Sequence, residues 1–331
     1  MTLMSASPKI LVPRPSWLES VLYNALVCLY CFERYPYLSR LWRRAWQRSC
    51  RRFSAPVRTS IHGRNVVVNY GHTYPLYSRR FRTLNNPIVE LLFQSYAVKK
   101  RSITLVDVGA NVGDTILLLE SACPGMLGGF CCLDADPEFF AYLQNNLAHL
   151  DSGKFVLALL SSHEGSERSL VRHLRSTASP QGHEEVSART LDSAIREAGV
   201  QKIDILKTDV DGFDGRVLQG AREILAKDQP AVIFEWHPLL CRGASSNWTD
   251  HFQALEQSGY EKFLWFTKYG EFSHFSGDGE RKGVAMLAEL CLNSQTYDDW
   301  HYDVIALHSR SPLAPLALAE MAYAKKRKSI H

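Results

Sequence analysis

The run Val106-Asp107-Val108-Gly109-Ala110-Asn111-Val112-Gly113-Asp114-Thr115 constrains the fold more than any other part of this chain. It closes an apolar strand, Ile103–Val108, and opens a helix, Asp114–Ala122. A strand that enters a helix through two glycines places bare backbone at the strand's carboxyl end, where a ligand can approach closely. The spacing is D-x-G-x-x-x-G rather than the G-x-G-x-x-G of pyrophosphate cradles. An acid at Asp107 would repel a diphosphate and suits a cationic ligand carrying an amino group and a sulfonium. The next strand, Gly129–Leu133, runs into Asp134, 27 residues beyond Asp107. A carboxylate at that strand end can accept both hydroxyls of a ribose. Asp136, just before Pro137, reads as the cap of the following helix.

Strand and helix then alternate. Helices are predicted over Pro137–Leu147, Leu191–Ala198, Gly215–Leu225 and Trp248–Gln257, with an earlier one over Asn86–Ala97 capped by Asn86. Strands are predicted over Lys154–Leu160, Ile203–Thr208, Ala231–Glu235, Glu261–Phe266 and Asp303–Leu307. Near-continuous apolar strands joined by helices imply a mostly parallel sheet covered on both faces. The expected organisation is a basic helical extension over 1–60, a pre-core segment over 61–102, a ligand-binding α/β domain over 103–310 and a tail over 311–331.

Charge divides the chain. Residues 1–82 carry 14 Lys and Arg against Glu19 and Glu33, or 14 − 2 = +12, although the whole chain sums to +4. Such an arm reads as a solvated helical face or as a contact for an anionic partner: lipid head groups, a polyanionic glycan or nucleic acid. The apolar run Ser20–Phe32 is too short to span a bilayer, which takes about 18–20 residues, and lacks the cleavage site of a signal peptide. Followed by arginines and by Trp42 and Trp46, it suits a membrane interface. The eight cysteines are irregularly spaced; they read as idle thiols in a reducing cytosol. The expectation is a cytoplasmic protein with peripheral contact at the inner membrane face. No RNA-binding module is recognisable, which argues against nucleic acid.

The ordered blocks VDVGANVGDT, LDADPEFFAYLQNNL, ARTLDSAI, IDILKTDVDGFDGRVLQGA and AVIFEWHP resemble the FkbM-type S-adenosylmethionine-dependent methyltransferases over roughly 103–238. The resemblance implies a class I methyltransferase (Rossmann-like) fold, with a seven-stranded, mostly parallel sheet containing one antiparallel strand. It implies S-adenosyl-L-methionine as cofactor, with Asp107, Gly109, Asn111, Gly113 and Asp114 around its methionine and ribose part and Asp134 on the ribose. Asp134-Ala135 stands where Glu-Pro is commoner, and Asp211 and Asp214 where Glu is usual.

In that fold Asp209 and Glu235, at neighbouring strand ends, face the transferred methyl. Methylation of a hydroxyl needs in-line attack by a positioned, partly deprotonated oxygen. Asp209, Asp211, Glu235 or His237 could take the proton; alternatively Asp209, Glu235 and His237 could hold a divalent cation that lowers the hydroxyl's pKa. Asp211 and Asp214 could equally cap the next helix. Tyr74 and Tyr269 fall in aromatic clusters that suit stacking on a sugar, and Ser176–Ser179 could cover an adenosine. The favoured reading is an O-methyltransferase acting on a sugar of a surface glycan or on a secondary metabolite. Its competitors are a nicotinamide-dependent oxidoreductase and a non-catalytic scaffold of a glycan-assembly complex.

Overall fold

The computed structural model describes residues 10–169, 171–173, 177–179, 182–277, 281–293 and 300–320. Ser176 and the basic tail Lys325–Lys328 lie outside the described residues. Helix α1 (Trp17–Leu29) is capped by the Ser16 side chain, which accepts the Glu19 N–H. A 3-10 turn, Tyr30–Arg34, leads into α2 (Pro36–Arg52). The hairpin β1 (Val57–Ile61) and β2 (Arg64–Val68) turns at His62-Gly63, both at positive φ. Then come α3 (Tyr74–Arg80) and α4 (Asn86–Lys99). Asn86 starts α4 but does not cap it; Asn85, in the left-handed region, precedes the helix without a side-chain cap.

The domain proper alternates β3 (Ile103–Val108), α5 (Asp114–Ala122), β4 (Leu127–Asp134), α6 (Pro137–Asn146) and β5 (Gly153–Leu157). The expected strand Lys154–Leu160 breaks at Ala158. Beyond the break, β6 (Leu159–Leu160) joins a small sheet with β7 (Gly165–Arg168) and β10 (Glu185–Arg189), while β8 (Val171–His173) pairs with β9 (Thr177–Ser179). Next come α7 (Leu191–Glu197), β11 (Ile205–Thr208), α8 (Asp214–Gln219), α9 (Arg222–Lys227) and β12 (Ala231–Trp236). The helix expected over Gly215–Leu225 divides at Gly220. The Ser161 carbonyl oxygen would lie 2.3 Å from a Cβ there, and the Asp192 carboxylate accepts the Glu223 and Ile224 N–H groups of the second piece. The chain continues through α10 (Pro238–Gly243), α11 (Asp250–Gln257), β13 (Tyr260–Thr267), β14 (Phe272–Gly277), α12 (Arg281–Asn293) and β15 (Tyr302–His308).

The central sheet runs β14-β13-β15-β12-β11-β3-β4-β5. Strands β5, β4, β3, β11 and β12 are parallel, and β15 inserts antiparallel between β12 and β13. The sheet has eight strands, because β14 adds an antiparallel edge strand to the seven expected. Successive residues serve opposite faces: Leu105 and Cys132 join one core cluster, Val106 and Cys131 the other. Burial on both faces is why these strands read as unbroken apolar runs.

The N-terminal extension is part of the first core. Tyr23 and Val27 pack there with Val57 and Tyr70, and the Tyr23 hydroxyl donates to the His72 carbonyl at 2.6 Å. Trp42 Nε1 donates to the Leu26 carbonyl at 2.8 Å, and its ring stacks on Trp46. The arginines of α2 thus sit on a helix anchored by tryptophans.

Candidate active site

The glycine turn behaves as its spacing implies. Gly109 has φ +78°, and a Cβ on it would stand 2.0 Å from the Asp209 carbonyl oxygen. Only glycine lets β3 and the loop after β11 approach this closely. The Gly109 and Ala110 N–H groups donate to the Leu133 carbonyl at 2.9 and 3.0 Å. Asp134 is locked in place, accepting the Asn111 N–H at 2.8 Å and the Asp136 N–H at 2.9 Å. Asp136 caps α6, accepting the Glu138 and Phe139 N–H groups.

Above the turn lies a cleft of about 590 Å³. Its wall carries Asp134, Asp136, Asp209 and Asp211 and, among the described residues, no Lys, Arg or His. Burial pushes Asp134 up to about 7. Gly109 and Asn111 also line this cleft, whereas Asp107, Gly113 and Asp114 do not. Asp107 lies fully buried, 3.3 Å from Lys207 Nζ; burial raises its pKa against the pull of that ammonium. Gly113, at φ +88°, lets Leu147 pack against the turn. Thr177–Ser179 form the short strand β9.

A second cleft, of about 1190 Å³, adjoins the first at Asp209, which lines both. Its walls come from distant parts of the chain, including Tyr30, Tyr74, Lys207, Glu235, Tyr269 and Asp303. Asp114 faces this cleft, with burial lifting its pKa to about 7. Lys207 Nζ is 3.2 Å from Asp209 Oδ2 as well as close to Asp107. Burial works against the Lys207 charge, but Asp107, Asp209 and Asp114 outweigh it and hold its pKa well above the ordinary value. The Asp107–Lys207–Asp209 chain therefore fixes a half-exposed carboxylate where the two clefts meet.

Glu235 and Asp303 stand opposite each other across the β12–β15 pair. Burial, then the Asp209 charge, raises the Glu235 pKa well above its usual range and that of Asp303 to about 7. His301 Nε2 lies 3.4 Å from Glu235 Oε1. Lys207, His301 and Asp303 join the site without being singled out by the motifs that mark it in the sequence. The signal for Lys207 was a lysine near the end of an apolar strand, two residues before Asp209; His301 and Asp303 carried no local signal.

The proposed cation site does not assemble. Among the described residues no group of three or more His, Cys, Asp or Glu could hold a metal ion. His237 lines neither cleft: its Nδ1 accepts the Leu240 N–H at 3.4 Å, capping α10, and its ring stacks on His301 at 5.0 Å. Asp211 has φ +51° and faces the first cleft. Asp214 is buried and closes the loop before α8, accepting the Val210 N–H; burial raises its pKa to about 7.

Residues 107–262 match the family model described as Methyltransferase FkbM domain. No curated protein matches the chain. Among solved structures it is similar to a methyltransferase FkbM from Methylobacillus flagellatus KT, with 15% identity and a TM-score of 0.39 over 62% of this chain and 43% of that one. The chain thus spans less than half the length of that protein. It is also similar to an O-methyltransferase from Bacillus cereus in complex with SAH, with 8% identity and a TM-score of 0.36 over 67% of this chain and 80% of that one. A third likeness is to a putative sarcosine dimethylglycine methyltransferase from Galdieria sulphuraria, with 10% identity and a TM-score of 0.38 over 67% of this chain and 84% of that one.

Proposed function

We propose that this chain, whose residues 107–262 match the FkbM methyltransferase family model, transfers a methyl group from S-adenosylmethionine to a hydroxyl of a sugar, in a surface glycan or a secondary metabolite. The observation that carries this reading is the place of Asp209, on the wall of both clefts. A transferase needs a donor site and an acceptor site that share one point, and Asp209 marks it.

The first cleft fits the donor. Its wall is acidic, with no cationic side chain among the described residues, which opposes the two phosphates of a nicotinamide dinucleotide and favours a ligand bearing an ammonium and a sulfonium. Asp134 would accept the ribose hydroxyls with the lone pairs its two backbone partners leave free. The bound cofactor supplies an electrophilic methyl. The second cleft fits a polyhydroxyl acceptor: tyrosines offer faces for a sugar ring, and carboxylates and Lys207 offer hydrogen bonds at their edges. Asp209 accepts the acceptor's O–H and takes its proton as the oxygen attacks. Lys207 holds Asp209 in position and stays cationic. Glu235, buried beside other carboxylates that favour its neutral form, is suited to donate to a neighbouring hydroxyl rather than to serve as the base.

Calorimetry with S-adenosylhomocysteine and with NAD tests the donor half. S-adenosylhomocysteine should bind, and more tightly as pH rises toward about 7, because ionised Asp134 is the better acceptor for ribose hydroxyls. Tighter binding of NAD would turn the reading to an oxidoreductase. Transfer of labelled methyl to a panel of glycans and hydroxylated metabolites tests the acceptor half; label found only on amines would refute O-methylation.

A further inference from the structure

Helix α1 is apolar on two sides, and among the described residues only one of them is packed against the fold. Tyr23, Leu26 and Val27 face the core. Trp17, Leu18, Val21, Ala25, Cys28 and Leu29 are exposed. At about 100° per residue these six fall in one arc of about 120°, with no polar side chain among them. Trp17 is 79% exposed, Leu18 64% and Val21 51%. Single exposed apolar residues are ordinary, but a helix face made only of them marks a contact surface.

The face ends on charge. Where α1 passes into the 3-10 turn, a groove of about 830 Å³ is lined by Val27, Cys28, Cys31, Arg34, Arg79 and Arg80. Arg80 pairs with Glu33. Among the described residues no carboxylate lies within 4.0 Å of Arg34 or Arg79; Arg79 donates instead to Cys28 Sγ at 3.2 Å. Beyond it, α2 turns Arg40, Arg44, Arg48 and Arg51 outward. The groove shares Tyr30 and Arg80 with the acceptor cleft.

We propose that this face seats the protein on an anionic lipid surface, with the α1 apolar arc entering the acyl boundary and phosphates meeting Arg34 and Arg79. An apolar strip bordered by arginines has the amphipathic character of an interfacial helix, and each basic group near an anionic bilayer adds to the attraction. Among the described residues no helix is long and apolar enough to cross the membrane, so the contact is peripheral. The acceptor cleft then opens beside the lipid.

Sedimentation of the full chain with vesicles of 70% phosphatidylcholine and 30% phosphatidylserine tests this, with pure phosphatidylcholine as control. Attachment to the mixed vesicles should exceed that to the control at least tenfold and weaken in 0.5 M salt. Leu18→Asp with Val21→Asp should lower attachment at least tenfold without shifting the melting temperature, since neither side chain faces the core. Arg34→Glu with Arg79→Glu, exposed on the other half of the site, should do the same and stands in if the first pair fails to fold. Full-length protein that ignores the mixed vesicles overturns the proposal. So does a concentration-dependent dimer that Val21→Asp dissociates, since the face would then be a self-association surface.

Discussion

The two clefts that meet at Asp209 are built differently. Among the described residues the first takes its wall from residues 108–217, most of it from neighbouring parallel strands and the loops that follow them, and its charged side chains are acidic. The second draws on residues from 30 to 303, mixes Lys, Arg, Glu and Asp, and adds tyrosines. A binding site formed by one turn and its adjacent strand ends is fixed by short-range sequence, so many chains can share it. A site assembled from the arm, α3, three strands and the β13–β14 turn depends on how this particular chain closes. The donor half is therefore generic and the acceptor half individual.

Asp209 belongs to both halves, so its loss should have the largest effect. Asp209→Asn keeps the shape and the Lys207 contact but removes the proton acceptor. Methyl transfer should fall about 10²–10⁴-fold, the usual worth of a positioned acid–base group, with S-adenosylhomocysteine affinity changed only a few-fold. Single-turnover assay and calorimetry separate the two; wild-type turnover would show that the clefts do not share a reacting point there. Next is Gly109→Ala, which should act first on the donor half and reach the acceptor half only through the Asp209 backbone. Its Cβ would meet the Asp209 carbonyl oxygen at 2.0 Å in a left-handed backbone. Denaturant unfolding should report a loss of about 2–4 kcal/mol, and cofactor binding should vanish. Unchanged binding would mean that the turn yields more easily than its packing suggests.

This difference also decides what the sequence could disclose. Asp134, Gly109, Asn111 and Asp211 announce themselves because each sits in a local pattern, a glycine turn or an acid just past an apolar strand, that is whole in the sequence. The parallel sheet was legible for the same reason: each strand carries its apolar run whole. Glu235 and Asp303 come together only through the antiparallel insertion of β15, and nothing near residue 303 points to residue 235. Arginines dominate the composition of the arm and set it apart in the sequence; the residues that tie it to the core, Tyr23, Val27 and Trp42, are ordinary apolar positions. His237 looked like a ligand by its place after Glu235, yet its ring is used in capping α10.

Asp214 offers a smaller test of how the donor half tolerates its charge. Its carboxyl ionises near 3.8 when unfolded and at about 7 when folded. Between those values the unfolded chain has released its proton and the folded one has kept it. Stability therefore falls as pH rises through that window, and above about 7 the penalty is full. Asp214→Asn keeps an oxygen for the Val210 N–H and removes the buried charge. It should leave the melting temperature unchanged near pH 4 and stabilise on the order of 2 kcal/mol at pH 8. A gain equal at both pH values would show that ionisation is not the cause.

The mildest change sharpens the comparison most, because it separates the halves without touching Asp209. Tyr30 reaches the acceptor cleft from the end of α1 and lines no part of the donor cleft. Its ring lies 4.8 Å from Trp42, and Arg80 donates to its hydroxyl at 3.4 Å. Tyr30→Ala removes one face available to an acceptor ring, worth about 1 kcal/mol, and some packing against Trp42. KM for the best acceptor should rise about three- to tenfold, with S-adenosylhomocysteine affinity unchanged. Tyr30→Phe, which keeps the ring and loses only a weak hydrogen bond, should restore KM. If Tyr30→Ala instead weakened cofactor and acceptor equally, the arm would be supporting the whole domain, and the division into a generic donor half and an individual acceptor half would fail at the residue where it is easiest to see.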